Sequence, residues 1–304
     1  FHGFFFQMAY PCLPVARRGA RPVVASFRGI DAHWLKERLG QVELEILAAA
    51  AWITSVSSDA LIAADAFVDV SGRSSFIPNS VDTALYPAWR LTPDNRGVVG
   101  TVCTLREKKG IPLLVQAFGR LPAGVQRRLL LVGDYAGPEA AGVRAKTELV
   151  IARYGVTDKV EVTGLVPHRD VPGRLLDMNV FVVASKHEGL PNAVLEAAAA
   201  GVPIVATAVD GTKDVFRDET SALLVPPGDP IALGAAIERV LSEPGLAARL
   251  SSGGRALAAS LRPEAERRAW LGLYQRLLDE AQERRRGHEA SRQGGERSAA
   301  EVSA

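Results

Sequence analysis

The sequence predicts an α/β protein whose parallel sheet is covered by helices on both faces, and three observations carry that expectation. From residue 98 onward, short apolar runs alternate regularly with stretches of helical period, the spacing of successive strand–helix units. The runs are apolar almost without interruption, as strands buried on both faces are. Their carboxyl ends open repeatedly into loops of glycine and charged residues, which is where open α/β sheets place ligands.

In chain order, the opening FHGFFFQMAYPCLPVARRGA predicts a helix packing under a sheet. Residues 22–27 (PVVASF) read as a buried strand and 28–31 as the loop at its carboxyl end. Residues 34–51 carry apolar side chains at intervals of three and four and predict a helix; a short strand follows at 52–55. Ser57-Ser58-Asp59 then caps a helix over 60–66. The segment Phe76-Ile77-Pro78-Asn79-Ser80-Val81-Asp82 ends a first domain, and LYPAWRLTPDNRG reads as the linker out of it.

Beyond the linker, strands are expected at 98–102, 129–132, 160–163, 180–184, 204–206 and 222–225. Helices are expected at 111–121, 139–154, 171–178, 192–200, near 213–216, and at 230–241. Two more follow at 246–259 and 263–282, the second with an apolar face of Trp270, Leu273, Tyr274, Leu277 and Leu278 that docks back on the first domain. From Arg284 the chain is polar and reads as a disordered tail. The expected organisation is a partial first lobe over 1–90, a second lobe over 91–258, a crossover helix over 259–283 and a tail over 284–304.

Composition narrows the function classes. The chain of 304 residues is 47% hydrophobic, enough for a substantial core, and its net charge of +2 with no sustained basic stripe argues against nucleic acid as a partner. Cys12 and Cys103 stand in no metal-ligand or redox spacing, which suits a reducing, cytoplasmic setting. No apolar run approaches the length of a membrane span, and Phe4-Phe5-Phe6 lacks the basic flank of a signal peptide. The first residue is Phe1 rather than methionine, so the sequence reads as a fragment. Arg284, Arg285 and Arg286 offer peripheral contact with an acidic lipid surface, at the inner face of a membrane, or else a solvated tail.

The chain is organised around VFVVASKHEGLPNAVLEAAAAGVPIVA, residues 180–206. An apolar strand breaks at Ser185 into Lys186-His187-Glu188-Gly189, Pro191 and Asn192 open an alanine-rich helix, and a second strand follows Pro203. Glu188 and Glu196 stand eight positions apart, with the free N–H groups of the helix start between them, an arrangement that receives anions.

Glu188-Gly189-Leu190-Pro191-Asn192 with Glu196, followed by Gly201-Val202-Pro203-Ile204-Val205, resembles the E-x7-E signature of family 4 glycosyltransferases of the GT-B fold. Ile77-Pro78-Asn79-Ser80-Val81-Asp82 resembles that family's domain-joining IPNGVD, Lys109-Gly110 its KG step, and the segment from Leu224 to Pro227 its LVPP turn. The resemblance implies a GT-B-like fold of two Rossmann-like lobes, the first incomplete, with the C-terminal helix packing back on it. It also implies retaining transfer of a sugar from a nucleotide diphosphate sugar to a glycan, lipid or small-molecule acceptor.

Ionised carboxylates accept from paired hydroxyls. The resemblance gives Glu188 the hydroxyls of the transferred sugar and Glu196 the ribose diol, while N–H groups of Gly189, Leu190 and Asn192 face the diphosphate. Arg106 and Lys109 offset charge on the leaving diphosphate. Many relatives carry arginine where this chain has Thr104, so Arg106 stands as its substitute, with Lys108 as the helper of Arg106. His187 is a donor contact or a loop residue bonded to backbone. Leu165 and Val166 are assigned to the base pocket, with His168 and Arg169 either lining it or forming a turn. With a basic clamp on the diphosphate and no aspartate pair in metal-binding spacing, no cofactor and no metal ion are expected.

The first lobe departs from the family. Its opening strand, glycine-rich loop and much of the acceptor domain are expected to be missing, and Arg28 stands where many members have a histidine. Arg28 and Asp31 are the candidate acceptor-side residues, Asp31 serving otherwise as a helix cap. The alternative to an active transferase is a truncated module that binds the nucleotide sugar without transferring it. A dehydrogenase is disfavoured, since no G-x-G-x-x-G follows a strand.

Overall fold

The computed structural model describes residues 1–19, 21–29, 40–122, 124–125 and 128–302, with 288–302 as backbone alone. The chain forms two compact units: Phe1–Ser55, Ala60–Ile77 and Glu266–Ala304 in the first, Val56–Asp59 and Pro78–Ala265 in the second.

The first unit is built on four parallel strands in the order β1 (His2–Gly3), β2 (Val24–Phe27), β3 (Trp52–Ser55) and β4 (Ser74–Phe76). Helices α1 (Leu13–Gly19), α2 (Gln41–Ala49) and α3 (Ser58–Asp65) connect them. Phe6 stacks on Phe27 with ring centroids 4.1 Å apart, and both are fully buried with Ile46, Leu47 and Ile53. Each such side chain contributes about 1.5–3 kcal/mol by leaving water. Arg73 donates to the carbonyls of Leu47 and Ala50, both at 2.7 Å, closing the carboxyl end of α2.

The observed first unit corrects the sequence reading in three places. An additional strand precedes β2: His2 and Gly3 pair in parallel with Val24 and Ala25, a run of two residues too short to register as an apolar period. The single helix expected at the start is a 3-10 turn over Phe6–Cys12 followed by α1, because Pro11 lacks the N–H that a regular helix needs. β4, written Ser-Ser-Phe, was not expected at all. The helix expected over 34–51 is described from Gln41 onward.

The second unit carries β5 (Val98–Val102), β6 (Arg128–Val132), β7 (Val160–Val162), β8 (Val180–Val183), β9 (Ile204–Thr207) and β10 (Leu223–Val225). All six are parallel, in the order β10-β9-β8-β5-β6-β7. Their helices are α4 (Ile111–Gly119), α5 (Ala140–Tyr154), α6 (Val171–Leu176), α7 (Asn192–Ala200), α8 (Asp210–Val215), α9 (Pro230–Ser242) and α10 (Pro244–Ser260). Successive strand residues supply opposite cores: Leu130, Val132, Phe181 and Val183 face one layer with α7, while Leu129, Leu131, Val180 and Val182 face the other with α4 and α9. Asp229 caps α9, accepting from the N–H groups of Ile231 and Ala232 at 2.8 and 2.9 Å. The chain winds outward from β5 through β6 and β7, then returns to β8 beside β5 and winds the other way, which makes the β5/β8 boundary the sheet's switch point.

The expected linker is instead part of this second unit. Tyr86 is buried, the Trp89 indole donates to the Met178 carbonyl at 2.7 Å, and Asn95 donates to the carbonyls of Arg90 and Leu176. The units therefore divide at Ile77 and Pro78 rather than near residue 90.

The last helix, α11 (Pro263–Val302), joins the first unit from Glu266, where Leu273 and Leu277 are buried against Val24 and Ile77. Its backbone stays helical to Val302, where the composition suggested a disordered tail from Arg284. Arginine, glutamate and alanine are strong helix formers, and pairs such as Glu280 with Arg284 at 3.3 Å support successive turns.

Candidate active site

The loops after β5 and β8 meet at the switch point. After β5 the chain makes a 3-10 turn over Glu107–Lys109 and passes through Gly110 at φ 65°, in the left-handed region. A Cβ at Gly110 would stand 2.1 Å from the Ala184 carbonyl oxygen, so only glycine lets this loop press against the end of β8. The Lys186 N–H donates to the Lys108 carbonyl at 2.8 Å and ties the two loops together.

This contact sets the charges. Glu188, only 8% exposed, forms an ion pair through Oε1 with the Lys109 ammonium, and the Lys108 ammonium stands 3.6 Å from the same oxygen. A buried carboxylate requires such partners, since unpaired burial of charge is costly. Beside it, Glu107 receives Lys186 at 3.0 Å and Lys146 at 3.3 Å, and the hydrogen bond from Lys186 leads in holding its carboxyl below the usual range. Burial pushes the Cys103 thiol up to about 11, leaving it protonated and unreactive at neutral pH. Arg106 is exposed, and its guanidinium makes no ion pair among the described residues. His187 is exposed on the neighbouring loop.

The second carboxylate lies on α7. Glu196 is 8% exposed and its Oε1 stands 3.1 Å from Nε2 of His168. Burial first, then the charge of Glu196, push the Tyr86 hydroxyl up, so Tyr86 stays protonated beside that carboxylate. His168 opens the 3-10 turn His168–Asp170 with its ring largely exposed. Nearby in the chain, the Leu165 side chain is 88% exposed, whereas Val166 packs against the core.

Between the carboxylates, Gly189 and Leu190 are buried and Asn192 is exposed at the start of α7. Asn79 donates to the Leu190 carbonyl at 2.8 Å and to Oδ1 of Asn192 at 2.9 Å. Pro191 precedes the helix and no side chain caps it, so its first-turn N–H groups remain available to an anion. Among the described residues, no group of three or more His, Cys, Asp or Glu side chains is placed to hold a metal ion.

The sequence of the second unit from residue 87 to 257 matches the family described as "Glycosyl transferases group 1". The chain belongs to this family. Among curated relatives of group 1 glycosyl transferases, it is 32% identical over 246 residues to the 2-deoxystreptamine glucosyltransferase of Streptomyces kanamyceticus, covering 80% of this chain and 60% of that protein. It is 34% identical over 188 residues to the lipopolysaccharide core biosynthesis glycosyltransferase LpsD of Rhizobium meliloti, covering 62% of this chain and 51% of that one. The chain thus spans between half and two thirds of the length of these relatives. Of solved structures, sucrose-phosphate synthase of Thermosynechococcus elongatus superposes with a TM-score of 0.80 at 25% identity, over 91% of this chain and 73% of that one. HepE of Anabaena in complex with UDP superposes with a TM-score of 0.79 at 20% identity, over 90% of this chain and 77% of that one. The fold is that of the GT-B glycosyltransferases, two Rossmann-like lobes each with a parallel sheet.

Arg28, one of the two residues expected on the acceptor side, lies in the first unit. Arg28 is part-buried, with its guanidinium 4.0 Å from the centre of the Phe4 ring and 3.7 Å from the Glu266 carboxylate. Burial leads in pulling it below the usual arginine range, against the opposing effect of Glu266. Asp31 lies outside the described residues. A groove of about 970 Å³ also opens in this unit, lined by Val23, Trp52 and Leu277 together with Arg21, Arg284 and Arg285.

Three residues escaped the role now visible. Tyr86 falls inside the expected linker, His168 is expected in a turn or the base pocket, and Asp210, which accepts from the Glu188 N–H at 2.8 Å, carried no expectation. The one available signal was position: Asp210 follows β9 at its carboxyl end.

Proposed function

We propose that this chain is a retaining glycosyltransferase of family 4 that moves a sugar from a nucleotide diphosphate sugar to an acceptor hydroxyl. The observation that carries the proposal is the convergence of Lys109, Lys108 and Glu188 at the switch point, with Glu196 one helix away and an uncapped helix start between the carboxylates. In this reading Glu188 exchanges part of its lysine pairing for hydroxyls of the transferred sugar, and Glu196 accepts from the ribose diol beside His168. Lys109, Lys108 and Arg106 offset charge on the diphosphate as its bond to the sugar breaks. The bond from the anomeric carbon to the diphosphate oxygen cleaves with its electron pair, and the acceptor oxygen bonds to the same face. The acceptor's proton passes to the departing diphosphate oxygen. Leu165, largely exposed, and Val166 suit a flat nucleobase.

The basic residues and backbone N–H groups can neutralise the diphosphate by themselves, which supports a metal-independent reaction. The complexes of HepE with UDP and with UDP-glucose support a nucleotide sugar as donor here. The acceptor, a glycan, lipid or small molecule, belongs to the first unit by resemblance. No helix among the described residues is long and apolar enough to cross a membrane. Cytoplasmic placement with peripheral contact to acidic lipid through residues 284–286 is part of the proposal, supported by Arg284 and Arg285 lining the groove of the first unit.

A screen of nucleotide sugars by thermal shift identifies the donor, since a ligand that binds the folded state raises its stability. Proton NMR of the product then reads its anomeric configuration, expected to match that of the donor; an inverted product overturns retention. Donor binding with neither hydrolysis nor transfer by the intact chain supports a binding-only module instead.

A further inference from the structure

The loop over 184–191 carries Glu188, and its backbone is gripped from one side by the segment joining β9 to α8. The Thr207 hydroxyl donates to the Ser185 carbonyl at 2.7 Å. The Glu188 N–H donates to Oδ2 of Asp210 at 2.8 Å. A Cβ at Gly211 would stand 2.4 Å from the Gly189 carbonyl oxygen, so the backbone there lies directly on the loop. Asp210 itself has φ 37°, in the left-handed region where an L residue is disfavoured and where glycine, asparagine and aspartate are the usual occupants.

A residue held in that conformation is kept there by its surroundings, and such positions concentrate at sites where geometry matters to function. Glycine would satisfy the backbone more easily, yet it could not hold the Glu188 N–H. That N–H is the last backbone donor before Gly189, and the Asp210 carboxylate takes it up. The carboxylate thereby fixes the peptide from which the Glu188 side chain reaches Lys109 and Lys108.

We propose that Asp210 is a positioning residue of the transferase site, its carboxylate locking the Glu188 peptide so that the Glu188 side chain is presented to the sugar of the donor. This rests on the proposed role of Glu188. Asp210 touches neither donor nor acceptor and acts through the loop.

The test compares the intact chain with Asp210→Gly, which keeps the left-handed backbone and deletes the carboxylate, and with Asp210→Asn, which keeps an acceptor and tolerates the same backbone. Amide hydrogen exchange, donor hydrolysis kinetics and calorimetric titration with nucleoside diphosphates are measured on each. Asp210→Gly is expected to exchange the Glu188 amide about tenfold faster or more and to lose about tenfold or more in kcat, converting by about 1.4 kcal/mol per tenfold. Nucleoside diphosphate affinity should stay within about twofold, and Asp210→Asn should restore kcat to within about threefold of the intact chain. Unchanged protection of the Glu188 amide in Asp210→Gly, or an Asn variant no better than the Gly variant, overturns the inference. Failure of the intact chain to bind any nucleoside diphosphate overturns the functional reading instead, while the exchange measurement still decides whether Asp210 holds the loop.

Discussion

Nε2 of His168 lies 3.1 Å from Oε1 of Glu196, although 28 residues separate them in the chain. The pair, with the Tyr86 hydroxyl beside the same carboxylate, leaves Glu196 buried but hydrogen-bonded before any ligand arrives. Its remaining acceptor capacity is therefore presented in a fixed orientation. Hydrogen bonds to a charged group contribute about 1.5–3 kcal/mol each. Glu196→Ala is accordingly expected to weaken nucleoside diphosphate binding about 10–100-fold by calorimetry, and His168→Ala by much less, since it orients the carboxylate rather than replacing it.

Lys109 and Lys108 share one oxygen of Glu188, but Lys108 stands at 3.6 Å while Lys109 makes the close contact. A cation poised on developing charge supplies about 10²–10³ in turnover. Donor hydrolysis by Lys109→Ala should fall by about that factor and by Lys108→Ala by less. Lys109→Arg should not restore the rate, because a planar guanidinium does not substitute for a compact ammonium.

Gly110 permits the contact between the two site loops. With φ 65° and a Cβ that would meet the Ala184 carbonyl at 2.1 Å, Gly110→Ala combines backbone strain with a clash against main chain. Backbone strain alone costs about 1–3 kcal/mol. Urea denaturation should show at least that loss of stability, with donor hydrolysis impaired in the protein that remains folded.

A pH dependence resides in the first unit. Nδ1 of His2 meets the Tyr274 hydroxyl at 2.7 Å and Nε2 meets the Ser26 hydroxyl at 2.6 Å. Burial, with the nearby charge of Arg28, lowers the imidazole from 6.5 to about 4. Between those values the unfolded chain binds the proton and the folded chain does not, so protonation favours unfolding. Stability should fall as pH drops from about 6.5 through about 4. Denaturation curves across this range should show that slope in the intact chain and a shallower one in His2→Asn.

Much of the second unit was legible before its coordinates. The strand at 98–102 and the helix opening at Asn192 are bounded as expected, because continuous apolar runs and a proline-led helix start are local signals. β1 and β4 were missed because two and three residues carry no measurable period. Trp89 was hidden in a polar segment whose indole finds its acceptor, the Met178 carbonyl, 89 residues away. That Glu188 and Glu196 flank one helix start was readable from their spacing. The grip of Asp210 on Glu188 and the support of His168 and Tyr86 for Glu196 depend on which strand ends the sheet order brings together, and no local pattern encodes that.

The central claim is that Glu188 at the β5/β8 switch point engages the sugar of a nucleotide diphosphate donor. Release of nucleoside diphosphate from a panel of nucleotide sugars, measured side by side for the intact chain and for Glu188→Gln, tests it most directly. The intact chain is expected to release nucleoside diphosphate from at least one donor, and Glu188→Gln to do so about 10²-fold more slowly while binding the free nucleoside diphosphate as tightly. Equal release by the two proteins would contradict the account.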